Sequence, residues 1–135
     1  MILDWKPPCA GRSEMAKRVM TVDDSRTMRE MVSFTLRKAG FEVSEAEDGS
    51  KALAALKAAP VDVVITDLNM PVMDGVALIR ALRADPACRA LPILMLTTES
   101  DAGKKAEGKS AGATGWLVKP FDPERLVDVV RRVAG

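Results

Sequence analysis

From Lys17 onward, short continuous apolar runs alternate with stretches whose apolar residues recur at three and four positions. The first pattern suits a strand covered on both faces, and the second an amphipathic helix. Arg18 to Val22 is a short run ending in acids. Ser25 to Ala39 is helical, with Met28, Met31, Val32, Thr35 and Leu36 on the repeat and Gly40 closing it. Glu42 to Ala46 predicts a brief strand with Val43 inward. Ser50 to Ala59 is rich in Ala and Leu, hence helical, and Pro60 stops it. Val61 to Thr66 is a β-branched run, and Val76 to Arg83 a helix with Leu78, Ile79 and Leu82 on one side. Ile93 to Leu96 follows as a buried strand. Asp101 to Ala111 is a more polar helix containing two glycines, and Trp116 to Val118 is the fifth strand. Pro123 to Val133 closes the pattern with Leu126, Val129, Val130 and Val133 as its stripe.

Five strands alternating with five helices predict an α/β fold, a parallel sheet with helices on both faces. Such sheets place their functional crevice at the carboxyl ends of the strands. Residues 1–16 carry Pro7, Pro8, Gly11 and Ser13 and read as a weakly ordered N-terminal extension to one domain spanning 17–135.

Composition narrows the chemistry. The 135 residues are 47% hydrophobic, enough for a core, and 20 basic against 19 acidic residues leave a net charge of +1. That balance argues against nucleic-acid binding through bulk charge. Cys9 and Cys88 are too few and too scattered for a disulfide framework or a zinc site, and suit a reducing compartment. The chain has no histidine, which removes imidazole bases, Ser-His-Asp triads and most zinc sites. A bound metal must take oxygen ligands, which points to Mg2+ or Ca2+. No segment reaches the roughly 20 apolar residues that span a bilayer. No signal peptide is visible either, so a cytoplasmic location without membrane contact is expected.

The polar residues gather where the sheet rule directs. Asp23 and Asp24 follow the first strand. Asp67 and Asn69 follow the third, Thr97, Thr98 and Glu99 the fourth, and Lys119 the fifth. Bare neighbouring carboxylates repel one another, and a divalent cation relieves this. Mg2+ takes a few carboxylate oxygens and keeps sites open for water and phosphate oxygens. A remaining carboxylate oxygen is then placed to attack phosphorus, a transfer that needs positioning and charge neutralisation above all. Lys119 adds positive charge, and a hydroxyl can bond the new phosphate. Asp67 is the best-placed nucleophile, since it ends the most apolar strand. Each residue has a plainer reading: Asp67 as a turn residue, Asp23, Asp24 or Ser25 as a helix cap, Thr97 as a strand-end hydroxyl. Lys119 precedes Pro120, which holds it extended; the bond between them can be cis, though trans is the commoner form.

VDDS at 22–25, TDLNMPVMDG at 66–75, TTES at 97–100 and KPF at 119–121 stand together, in an order and spacing that resemble the receiver domain of two-component response regulators. The likeness covers about residues 17–135. It implies the flavodoxin-like strand order 2-1-3-4-5. It implies that Asp67 is the phosphoacceptor, taking its phosphoryl group from a histidine kinase, and that Asp23 and Asp24 serve Mg2+, with Asp24 the more direct ligand. Asn69 would offer the metal its backbone carbonyl, Thr97 would be the switch hydroxyl, and Lys119 would pair with the phosphate. Trp116 falls at the aromatic switch position, where tyrosine or phenylalanine is usual. The chain further resembles stand-alone chemotaxis regulators of the CheY type, through DDSRTMREMV, NMPVMDG and GWLVKPF. Only one helix follows Phe121, so output is expected through protein–protein contact on the face of residues 101–133, with a flagellar motor switch protein as the model target and no nucleic acid. The resemblance implies no enzyme activity beyond self-phosphotransfer and autodephosphorylation, with Asn69 and Glu99 beside the phosphoryl group.

Four other readings fit less well. A haloacid-dehalogenase-type phosphatase wants a second aspartate two residues after its nucleophile, where this chain has Asn69. A flavodoxin-like cofactor binder wants a glycine-rich phosphate loop where this chain has VDDSRT. A receiver in another phosphorelay and an unphosphorylated scaffold of the same shape are the remaining alternatives.

Overall fold

The computed structural model describes residues 17–70, 72–98 and 102–134. The expected N-terminal extension and Glu99 lie outside the described residues.

Strands β1 (Arg18–Val22), β2 (Glu42–Ala46), β3 (Val63–Asp67), β4 (Ile93–Thr97) and β5 (Gly115–Val118) form one parallel sheet in the order β2-β1-β3-β4-β5. Helices α1 (Arg26–Lys38), α2 (Gly49–Ala58), α3 (Gly75–Ala84), α4 (Ala102–Ala111) and α5 (Pro123–Ala134) connect them and close the chain, with a 3-10 turn at Pro86–Cys88. The expected fold class is the one observed. β3 and β4 are buried along their whole length, so their apolar runs need no alternation. β2 and β5 are edge strands and are partly exposed.

The core divides across the sheet. Leu56, Leu78, Ile79 and Leu82 pack with Met20, Val64 and Met95 on one side. Val32, Leu36, Leu126 and Val130 pack with Val19, Ile65 and Leu94 on the other. Burying each such side chain stabilises the fold by about 1.5–3 kcal/mol before entropy is charged.

Side-chain caps start the helices. Ser25 accepts from the Met28 amide, Asp48 from Lys51 and Asp74 from Ala77. In α1 the expected stripe needs correction. Val32, Ser33 and Leu36 are buried, whereas Met31 is 48% exposed. Ser33 fills the place because its hydroxyl donates to Glu45 at 3.0 Å, which satisfies a buried polar group. Among the described residues, no helix is long and apolar enough to cross a membrane.

Candidate functional site

Four strands deliver polar residues to one end of the sheet. Asp23 lies just past β1, and its amide donates to the Ala46 carbonyl at the end of β2. Asp67 is the last residue of β3, in register with Leu96. Thr97 ends β4 opposite Val118, and the Lys119 amide donates to the Thr97 carbonyl at 2.6 Å. Lys119 therefore enters the crevice because its backbone continues the β4–β5 ladder by one bond.

Lys119 Nζ lies 3.0 Å from Asp67 Oδ1 and 3.6 Å from Asp23 Oδ2. Asp67 Oδ1 also accepts the Leu68 amide at 2.8 Å. Among the described residues Asp67 Oδ2 carries no partner, and the side chain keeps 10% exposure. Asp23 is 1% exposed. Its Oδ1 accepts the Ser25 amide at 2.9 Å, while its buried Oδ2 has no hydrogen-bond partner. Burial pushes the Asp23 carboxyl above its ordinary pKa, Asp67 and Asp24 adding to the rise, while the Ser25 amide and Lys119 oppose it.

Asp23, Asp24 and Asp67 can bring one carboxylate oxygen each within 4.8 Å of one another. Three hard oxygen donors, from buried Asp23 and Asp67 and exposed Asp24, fit a divalent cation of the Mg2+ or Ca2+ type. Asn69 is exposed two residues beyond Asp67.

Thr97 Oγ1 is also buried without a hydrogen-bond partner, a hydroxyl in reserve at the crevice wall. Trp116 is 39% exposed and lies against α4, with Lys105 and Lys109 ammonium groups over its ring. The Lys119–Pro120 bond is cis, against the commoner form; the tertiary amide makes this the least costly peptide at which to adopt it.

Two supports escape a reading of the sequence. Arg29 Nη1 donates to the Asp23 carbonyl at 2.6 Å and its Nε meets Glu45 at 3.3 Å, so β1, α1 and β2 are tied behind the acids. Gly75 donates its amide to the Leu68 carbonyl at 3.0 Å, and a Cβ there would stand 2.9 Å from Leu68 Cα and closer still to the Asp67 carbonyl oxygen. An arginine on a helix and a glycine at the start of one carry no local signal of these long-range roles.

The model of the response regulator receiver domain matches residues 19–131. The chemotaxis protein CheY of Pseudomonas aeruginosa is 39% identical over 117 residues, 86% of this chain and 94% of that one. The structure of the chemotaxis response regulator CheY4 of Vibrio cholerae superposes with a TM-score of 0.82 at 52% identity, covering 87% of this chain and 98% of that one. A receiver domain of a Pseudomonas aeruginosa sensor histidine kinase, solved with magnesium in its active-site cleft, gives 0.83 at 28% identity, over 89% and 98% of the two chains. The buried acids, the lysine aimed at them and these relatives lead to one statement: the chain belongs to the response regulator receiver domains and is a phosphorylation-activated regulator.

Proposed function

We propose that Asp67 accepts a phosphoryl group from the histidine of a sensor kinase, with Mg2+ held by Asp23, Asp24, Asp67 and the Asn69 backbone carbonyl. The observation that carries this is the asymmetry of Asp67: Oδ1 is fixed by Lys119 and Leu68 N–H, while Oδ2 carries no partner among the described residues. Oδ2 forms the new bond to phosphorus as the bond from phosphorus to the donor's imidazole nitrogen breaks. Mg2+, when bound, neutralises charge on the phosphoryl oxygens and the acids. Lys119 starts paired with Asp67 and passes to a phosphoryl oxygen as that charge appears. Thr97 supports a switch role because its hydroxyl is buried without a partner and gains one only if a new acceptor arrives. Trp116 is the second switch residue, answering the movement at Thr97 on the adjoining strand. The resemblance to the family further assigns Asn69 and Glu99 an influence on how fast the acyl phosphate hydrolyses.

Output is through protein contact on the 101–133 face in the cytoplasm, with a CheA-like kinase upstream and a target such as a flagellar motor switch protein downstream. The likeness to chemotaxis proteins favours that pathway over other phosphorelays.

Intact-mass spectrometry after incubation with acetyl phosphate and Mg2+ tests the reading. One added phosphoryl group is expected, lost in Asp67→Asn and without metal. No gain in any sample would leave an unphosphorylated scaffold as the better account.

A further inference from the structure

Of the five α-helices, α4 buries the fewest residues. Its sole residue classed as buried is Gly108, which lies against the Met95 side chain. The other positions are small or charged: alanines, Gly103 and Ser110 alongside three lysines and Glu107. Such a helix gains little from apolar burial. What it does hold is an indole. Lys105 Nζ stands 4.7 Å and Lys109 Nζ 5.0 Å from the Trp116 ring centroid, from positions one helical turn apart. Neither lysine has a carboxylate partner among the described residues, so the ring is where their charge is spent. Lys104, beside them, reaches Asp74 at the start of α3 at 3.8 Å.

We propose that Lys105 and Lys109 are positioning residues that clamp Trp116 in its outward orientation and seat α4 on β5, so that activation at Asp67 must break the clamp. This rests on the reading of Thr97 and Trp116 as the switch pair. The two conformations then differ by two cation–π contacts made in only one of them. A ligand for the activated state must work against that difference. With small residues filling the rest of α4, few apolar contacts compete with the lysines to hold the helix, and their charge sets the threshold for switching.

The test uses the whole chain carrying Trp5→Phe, which leaves Trp116 as the sole tryptophan of the two present. Beryllofluoride with Mg2+ serves as the phosphoryl mimic. The readouts are Trp116 emission, its quenching by iodide, and the beryllofluoride half-point followed by Trp116 emission or, should the indole not report, by an amide NMR signal of the Asp67 loop. The pair Lys105→Met and Lys109→Met keeps length and removes charge. It is expected to alter emission and quenching and to lower the half-point roughly 5- to 30-fold, the worth of two exposed cation–π contacts. The pair Lys105→Arg and Lys109→Arg keeps the charge over the ring and is expected to behave as the parent. A methionine pair with parental quenching and half-point, or an arginine pair that matches the methionine pair, overturns the clamp. Phosphoryl gain from acetyl phosphate is measured by mass in every variant. A parent protein that gains none refutes the Asp67 reading and the clamp's function with it, whereas normal gain with an unmoved half-point refutes the clamp alone.

Discussion

Replacing Asp23 by asparagine separates the cost of the acidic cluster from its use. Lys119 attracts the Asp23 carboxylate across 3.6 Å, about 4.6 kcal/mol at an effective dielectric of about 20. Asp67 repels it across no more than 4.8 Å, at least about 3.5 kcal/mol on the same basis. These nearly offset, and exposed Asp24 adds a weaker, solvent-screened repulsion. Burial decides the balance. Asp23 Oδ2 has lost water and found no hydrogen bond, a cost of about 1–3 kcal/mol. Asparagine keeps an acceptor for the Ser25 amide, removes the charge, and leaves Lys119 paired with Asp67. Without metal at pH 7.5, Asp23→Asn is expected to be more stable by about 1–2 kcal/mol, a midpoint shift of roughly 3–10 °C. Magnesium reverses the order. At about 100 times its dissociation constant it stabilises the wild type by about 2.7 kcal/mol, and the variant by far less. The pH dependence has a definite sign. The folded-state pKa of Asp23 lies above its unfolded value, so its contribution is fully present below the unfolded pKa and is lost as pH rises through the folded one. The variant's metal-free advantage should therefore shrink on acidification. Thermal melts with EDTA and with Mg2+, across pH 4 to 8, measure all of this. A variant less stable than wild type in EDTA, or one that keeps the full Mg2+ response, would refute the reasoning.

Gly75→Ala forces a Cβ onto the Asp67–Leu68 backbone and should cost about 1–3 kcal/mol in urea melts while slowing phosphoryl gain, because the nucleophile is displaced. Arg83 donates to the carbonyls of Gly112, Cys88 and Arg89, so Arg83→Met should lose about 2–3 kcal/mol by the same melts with metal binding intact. Val72 adopts a φ of 68° at 85% exposure, a conformation that β-branched residues disfavour; Val72→Asn should gain about 1 kcal/mol, and a loss would show that the valine makes a contact of value.

The central strands were legible because burial on both faces writes itself as a continuous apolar run, as in Val63 to Ile65 and Ile93 to Leu96. The site was legible because strand ends share one edge of a parallel sheet, which brought Asp23, Asp67 and Lys119 together from distant parts of the chain. Other features depend on partners that no local pattern specifies. Met31 sits on a helical repeat yet faces out, and Ser33 is buried in its place because its hydroxyl finds an acceptor in Glu45. Arg29 and Arg83 look like solvated helix residues, and their carbonyl acceptors become neighbours only on folding. The outward lie of Trp116 depends on two lysines from the preceding helix.

The sheet order has a consequence for how the domain can fail. β5 is an edge strand, four residues long and paired on one side only, and Lys119 rides immediately behind it. The acids, by contrast, hang on β1 and β3 in the interior of the sheet. Peeling β5 away would withdraw the counter-charge while Asp23, Asp24 and Asp67 stayed in place, turning a balanced crevice into a mutually repelling one without global unfolding. The domain thus carries a detachable cation. Its readiness to accept phosphate is set by how firmly one short border strand is stitched on, and amide exchange at Trp116 to Lys119 would read that margin directly.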